Sequence, residues 1–135
     1  MTTANRLGTH ITDREAEKGR VALQGFLGIT SDWDCSTEER TQLLGGVSRA
    51  TLNNYRKLKP TRLSRDTMER VSYVMGIYKA VRVMYPTAER AHRRIRLGST
   101  DFPFSGKSPM EFMAQGSIRH LLLTRRYFDA KRGWA

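Results

Sequence analysis

Apolar residues recur along this chain at spacings of three and four, and the strict alternation of a strand is absent, which predicts an all-α fold. Thr12-Asp13-Arg14-Glu15 has the form of a capping box, so a first helix is expected from Thr12. Ala22, Leu23, Phe26 and Leu27 form its apolar stripe, and Gly25 and Gly28 weaken its end. Ser36-Thr37-Glu38-Glu39 is a second capping box, opening a short helix that carries Leu43 and Leu44 and stops at Gly45-Gly46. Ser48 is placed to cap a third helix from Arg49 to Lys57, with Leu52 and Tyr55 facing inward and Lys59-Pro60 ending it.

A long helix is expected from Arg65 to Tyr85. Met68, Val71, Val74, Met75, Tyr78, Val81 and Met84 fall on its inner face, with Arg70, Lys79 and Arg82 on the other. Pro86 closes it, and the basic stretch from Thr87 to Leu97 reads as a further helix. Residues 98–106 form a loop with two aromatics, Phe102 and Phe104. Ser108-Pro109-Met110-Glu111 combines a Ser cap, a Pro at the first helical position and a Glu completing the box. Gly116 ends that short helix, and a last one, from Ser117 to Lys131, carries Ile118, Leu121, Leu122 and Phe128.

A chain of 135 residues allows one domain or two very small modules. It contains no apolar run long enough to cross a membrane and no apolar stretch behind a basic start, so a cytoplasmic location is expected. Cys35 is the one cysteine, and His10, His92 and His120 lie far apart, which argues against a disulfide, a metal site or a catalytic triad. Asp32 and Asp34 beside Cys35 raise its thiol pKa and make it a poor nucleophile. Nothing in the pattern suggests an enzyme or a cofactor.

Charge changes the picture more. The 24 Lys and Arg against 13 Asp and Glu give a net charge of +11 and favour a polyanion or an acidic protein as partner. The excess is uneven: residues 1–57 carry a net +1 and residues 58–135 a net +10. The segment from Glu38 to Lys57, with its helix, glycine turn and Ser-capped helix, matches a helix-turn-helix. In that reading Ser48, Arg49, Thr51, Asn53 and Asn54 lie toward base edges or phosphates, because Arg and Asn make bidentate contacts with guanine and adenine. Arg56, Lys57 and Lys59 suit phosphates. An ordinary αα-hairpin with a solvated polar face is the alternative. The run Arg90, Arg93, Arg94 and Arg96 suits nucleic acid, an acidic partner or a solvated helix face equally well. At the chain end Tyr127, Phe128, Arg132 and Trp134 concentrate the residue types that anchor protein interfaces, unless Trp134 folds back on the core.

These segments together resemble the Xre/ParS-type antitoxins that accompany RES-domain toxins. The residues from Leu43 to Leu52 are similar to that family's helix-turn-helix. Phe104 to Met113 resembles its toxin-binding signature, a Gly-x-Ser/Thr-Pro-apolar-acidic motif, and Arg126 to Trp134 resembles its C-terminal ending. The likeness spans residues 15–135, and departs where members carry a Trp-Leu and a Pro-Asn pair, here Arg94-Ile95-Arg96-Leu97 and Thr100-Asp101. A flexible N-terminus is expected over residues 1–11, and the resemblance implies a DNA-binding module over residues 12–63. A helical oligomerisation and toxin-binding module then covers residues 64–135. It implies a RES-domain toxin, acting on NAD, and operator DNA as partners, with homodimers and larger complexes with toxin. Ser108, Pro109, Glu111, Arg126, Tyr127, Asp129, Arg132, Trp134 and Ala135 become the expected toxin contacts. Asp129 and the terminal carboxylate of Ala135 would stand in for phosphate in the toxin's pocket. A stand-alone helix-turn-helix regulator with a dimerising C-terminal half is the competing reading, and an interaction module with a vestigial helix-turn-helix is a third.

Overall fold

The computed structural model describes the backbone of residues 3–133 and the side chains of residues 14–133. Seven helices and no strand occur among the described residues. They are α1 (Thr3–Asp32), α2 (Thr37–Leu43), α3 (Arg49–Arg56), α4 (Arg65–Met84), α5 (Ala88–Arg96), α6 (Pro109–Met113) and α7 (Ile118–Lys131). The side chains of Thr12 and His10, and all of Trp134 and Ala135, lie outside the described residues.

Local chemistry explains most of the helix starts. Ser36, Ser48, Ser64, Thr87, Ser108 and Ser117 each accept a backbone N–H of the first turn, and Ser36–Glu39 and Ser108–Glu111 close complete capping boxes. The start of α1 is a correction: the backbone is already helical at Thr3, so Thr12 is an interior position and not a cap. The helix runs on past Gly25 and Gly28 to Asp32. Tertiary burial of Phe26, Ile29 and Trp33 outweighs the weak helix preference of two glycines.

Helix α4 packs against both α1 and α7, and also against α5. Its buried positions are Thr67, Arg70, Val71, Val74, Ile77, Ala80 and Val81. That arc is wider than the single stripe expected, because two helices share it. Met68, Met75, Tyr78 and Met84 are half-buried at its edges. Arg70, expected on the outer face, is only 8% exposed. Gly76 marks the closest approach to α7: a Cβ there would collide with the guanidinium of Arg125.

Every helix contributes to one apolar cluster, from Phe26 and Leu52 through Ile77, Ile95 and Met113 to Phe128. Phe104, in the loop after α5, is fully buried within it, packed edge-on to Phe112 and against Tyr127. Phe102, two residues earlier, is 80% exposed. On α7, Leu121, Thr124 and Phe128 are buried, while Leu122 is half-buried.

Candidate nucleic-acid interface and partner-binding region

The turn between α2 and α3 is built by the backbone. Gly45 and Gly46 have φ of 95° and 84°, the left-handed region that glycine enters without strain. Their amides donate to the carbonyls of Gln42 (3.0 Å) and Thr41 (2.8 Å), which closes the end of α2. The Ser48 hydroxyl accepts the Thr51 amide at 3.0 Å and meets the Thr51 hydroxyl at 3.0 Å. Leu52, fully buried, pins α3 to the core, and half-buried Val47 packs against the same cluster.

What remains of α3 faces outward. Arg49, Asn53, Asn54, Arg56 and Lys57 are exposed, and Thr51 is half-buried. Arg49, Asn53 and Arg56 follow at spacings of four and three and share a helix face. The side chains of Arg49, Asn53, Asn54 and Lys57 make no hydrogen bond or ion pair among the described residues. Arg56 donates to the Thr37 hydroxyl at 3.3 Å, which ties the end of α3 to the start of α2. The structure thus brings the sequence-predicted DNA residues onto one short helix, with Ser48 and Thr51 engaged in its cap.

Two arginines, Arg70 and Arg96, hold this unit against the rest of the molecule. Arg70 donates to Asp66 and to the carbonyl of Gly116, both at 2.8 Å, and its guanidinium lies against Gly45, where a Cβ would stand 3.0 Å away. Arg96 makes a two-pronged pair with Glu39 (2.7 and 2.9 Å) and donates to the carbonyls of Trp33 and Asp34. Burial alone would raise the Glu39 carboxyl. The hydrogen bonds from Arg96 and from the Ser36 amide outweigh it and hold Glu39 below its ordinary range. The expected Arg-rich run therefore divides: Arg96 is a structural clamp, while Arg90 and Arg93 are exposed. Arg94 donates to the Tyr127 hydroxyl at 3.2 Å and lies over the Tyr127 and Phe128 rings.

Cys35 is buried, and its thiol is pushed up to about 12, chiefly by burial and next by Glu39. It is an inert packing group, for a reason only partly visible in its acidic neighbours. No group of three or more His, Cys, Asp or Glu converges to hold a metal among the described residues. No described helix is long and apolar enough to cross a membrane.

The C-terminal region is arranged differently. Ser108 and Pro109 are buried, and the Ser108 hydroxyl and the Glu111 carboxylate close the capping box of α6. Glu111 itself is exposed. Tyr127 is half-buried; its hydroxyl donates to Asp101 at 2.6 Å and accepts from Arg94. Asp129 accepts from Arg125 at 3.0 Å, one helical turn away, which partly neutralises it. Arg126 is exposed and Arg132 half-buried. Tyr127, Asp101, Phe102, Ala130 and Lys131 line an open cleft of about 480 Å³ beside the end of α7. Of these only Tyr127 is an expected contact; the sequence marks Phe102 merely as a loop aromatic, because such a residue reads alike whether it is buried, as Phe104 is, or bare.

Two comparisons bear on this arrangement. Residues 14–76, which hold α2, the glycine turn and α3 between the greater part of α1 and the greater part of α4, match the Antitoxin Xre-like helix-turn-helix domain. A protein of Sinorhizobium fredii (strain NBRC 101917 / NGR234), "Uncharacterized protein y4oB", is 37% identical over 111 residues, covering 82% of this chain and 84% of its own length. That family is a regulatory one with an antitoxin and DNA-binding role. The turn geometry, the outward polar face of α3 and the match across its flanking helices agree, and this chain belongs to the Xre-like helix-turn-helix antitoxins.

Proposed function

We propose that the protein is the antitoxin of a type II pair, binding its own operator through α3 and blocking a RES-domain, NAD-consuming toxin through its C-terminal region. The observation that carries the reading is the outward face of α3, where Arg49, Asn53 and Asn54 stand exposed with no partner among the described residues. A buried or internally satisfied face would have nothing to offer a base edge, whereas these groups remain fully available for hydrogen bonding. Ser48 and Thr51 set the helix start, and Arg56 and Lys57 lie toward phosphates.

Toward the toxin, Tyr127, Lys131 and Phe102 border an open cleft at the end of α7, from which the chain continues through Arg132 to Trp134 and Ala135. Arg126 and Glu111 offer exposed charges on the same C-terminal helices, while Ser108 and Pro109 act by fixing how α6 begins. Asp129 and the carboxylate of Ala135 supply negative charge suited to a pocket that takes an anionic dinucleotide. The protein acts as a dimer or larger complex, as paired operator half-sites require.

Co-expression with the product of the adjacent gene, reading growth and cellular NAD, tests this. Rescue by the full chain, lost when residues 133–135 are removed, supports the antitoxin reading. The burial of Ser108 and Pro109 favours a second reading, a stand-alone regulator. A harmless neighbour, or toxicity that the full chain does not relieve, selects it.

A further inference from the structure

The charge distribution has a sharper boundary than a division at residue 57. Between Glu39 and Asp66 the chain contains no acidic residue, and it carries Arg40, Arg49, Arg56, Lys57, Lys59, Arg62 and Arg65. Arg40 turns inward and donates to the Thr30 hydroxyl. The other six are all exposed. Two of them belong to α3 and Lys57 caps its end, and the other three lie on or at the end of the segment that follows, residues 58–65.

That segment is held in place. Leu58 sits at φ 51°, in the left-handed region that a leucine enters only at a cost, and it turns the chain sharply out of α3. The Thr61 amide donates to the carbonyl of Ala16 at 2.9 Å, docking the segment on α1. Gly19 lets it lie that close, because a Cβ there would collide with the Thr61 carbonyl oxygen. Arg65 then occupies the first position of α4, where the positive end of the helix dipole disfavours a cation. Its side chain is 95% exposed, and its one ion pair among the described residues, to Glu69, is a loose 3.8 Å.

We propose that residues 58–65 are a second DNA-binding element, a docked strap whose Lys59, Arg62 and Arg65 contact the phosphates of the duplex that α3 reads. The inference rests on the operator-binding reading and adds a task for the strap: it supplies affinity without sequence preference, while α3 supplies the preference. Phosphates carry no base identity, so the strap strengthens binding to any duplex and steepens its salt dependence. Docking on α1 fixes the backbone of the strap, which limits the ordering cost that a loose tail would bring to the complex.

The test measures binding of two duplexes of equal length, one from upstream of the protein's own gene and one unrelated, across a series of salt concentrations. Four proteins are compared: wild type, Lys59→Gln/Arg62→Gln/Arg65→Gln, Asn53→Ala, and a charge-matched control, Lys79→Gln/Lys107→Gln/Arg119→Gln. Circular dichroism confirms that each is folded. The strap variant should lose affinity for both duplexes on the order of tenfold or more, with the log–log salt slope falling by roughly one per cation removed. Asn53→Ala should lose the preference between duplexes, and the control should match wild type. A strap variant that binds as wild type does, while Asn53→Ala loses preference, overturns the strap and keeps α3 as the reader. Equal losses in the strap and control variants also overturn it, since net charge alone would then explain them. Wild type that binds neither duplex overturns the operator reading and the strap with it.

Discussion

The two candidate sites of this protein differ in how far their polar residues are engaged within the molecule. On α3, Arg49, Asn53, Asn54 and Lys57 have no partner among the described residues. In the C-terminal region several of the candidate residues are engaged inside the molecule, although Arg126 stays exposed. Ser108 and Glu111 cap α6, Asp129 pairs with Arg125, and Tyr127 sits between Asp101 and Arg94. A side chain free of intramolecular partners can change without harm to the fold, and its loss registers in binding. A side chain already bonded within the protein carries both stability and any contact it makes outside, and the two effects must be separated.

The largest test of that contrast is at Phe128, which is 1% exposed and packed with Phe104 and Tyr127. Phe128→Ala should destabilise the protein by about 3–5 kcal/mol, seen as a large drop in Tm or denaturant midpoint. Removing residues 127–135 would have the same fault, since it takes Phe128 from the core. Removing residues 133–135, beyond the end of α7, should leave the midpoint within about 0.5 kcal/mol of wild type. A large loss of stability from that short truncation would show that the chain end is part of the fold and break the contrast.

On the other side, Arg49→Ala and Asn53→Ala should each weaken operator binding by about 1–3 kcal/mol with an unchanged Tm. A clear loss of stability in either would mean that α3 is less independent of the core than its exposure indicates.

The clamp between the two regions should be sensitive to acid. Glu39 is held below its ordinary range by Arg96, so its contribution to stability is present above the unfolded carboxylate range. It is lost as pH falls through the lower, folded value. Glu39→Gln should cost about 2 kcal/mol at neutral pH and flatten the acid limb of a stability–pH curve. An unchanged acid limb would place the titrating group elsewhere. The smallest effects belong to the caps. Ser48→Ala and Ser108→Ala should each cost about 1 kcal/mol, measured by denaturant unfolding. Only Ser48→Ala should also weaken DNA binding, because only that cap orients α3.

The expected helix starts at Ser36, Ser48, Ser108 and Ser117, the glycine turn and the polar face of α3 all appear in the structure. The first helix and the inner face of α4 did not follow their expected limits. At α1 a plausible capping box at Thr12 lies inside a longer helix, and at α4 the second packing partner, α7, widened the buried arc to include Ile77, Ala80 and Arg70. Among the candidate partner contacts, Ser108 and Pro109 proved to be buried, which no motif comparison separates from exposure.

By itself the amino-acid sequence determined the features that depend on neighbours within about four residues: caps, turns, helix ends and the face on which a short helix carries its polar groups. Those interactions close within one helical turn, and so they can be read along the chain. Tertiary structure alone decided the fate of the arginines. Arg96 and Arg93 look alike in a basic helix, yet Arg96 reaches Glu39 across 57 positions and Arg93 stays in solvent. Arg70 likewise finds the Gly116 carbonyl 46 positions away. A guanidinium serves equally well as a surface charge or a buried clamp, and what it becomes depends on which acceptors the folded chain places within its reach.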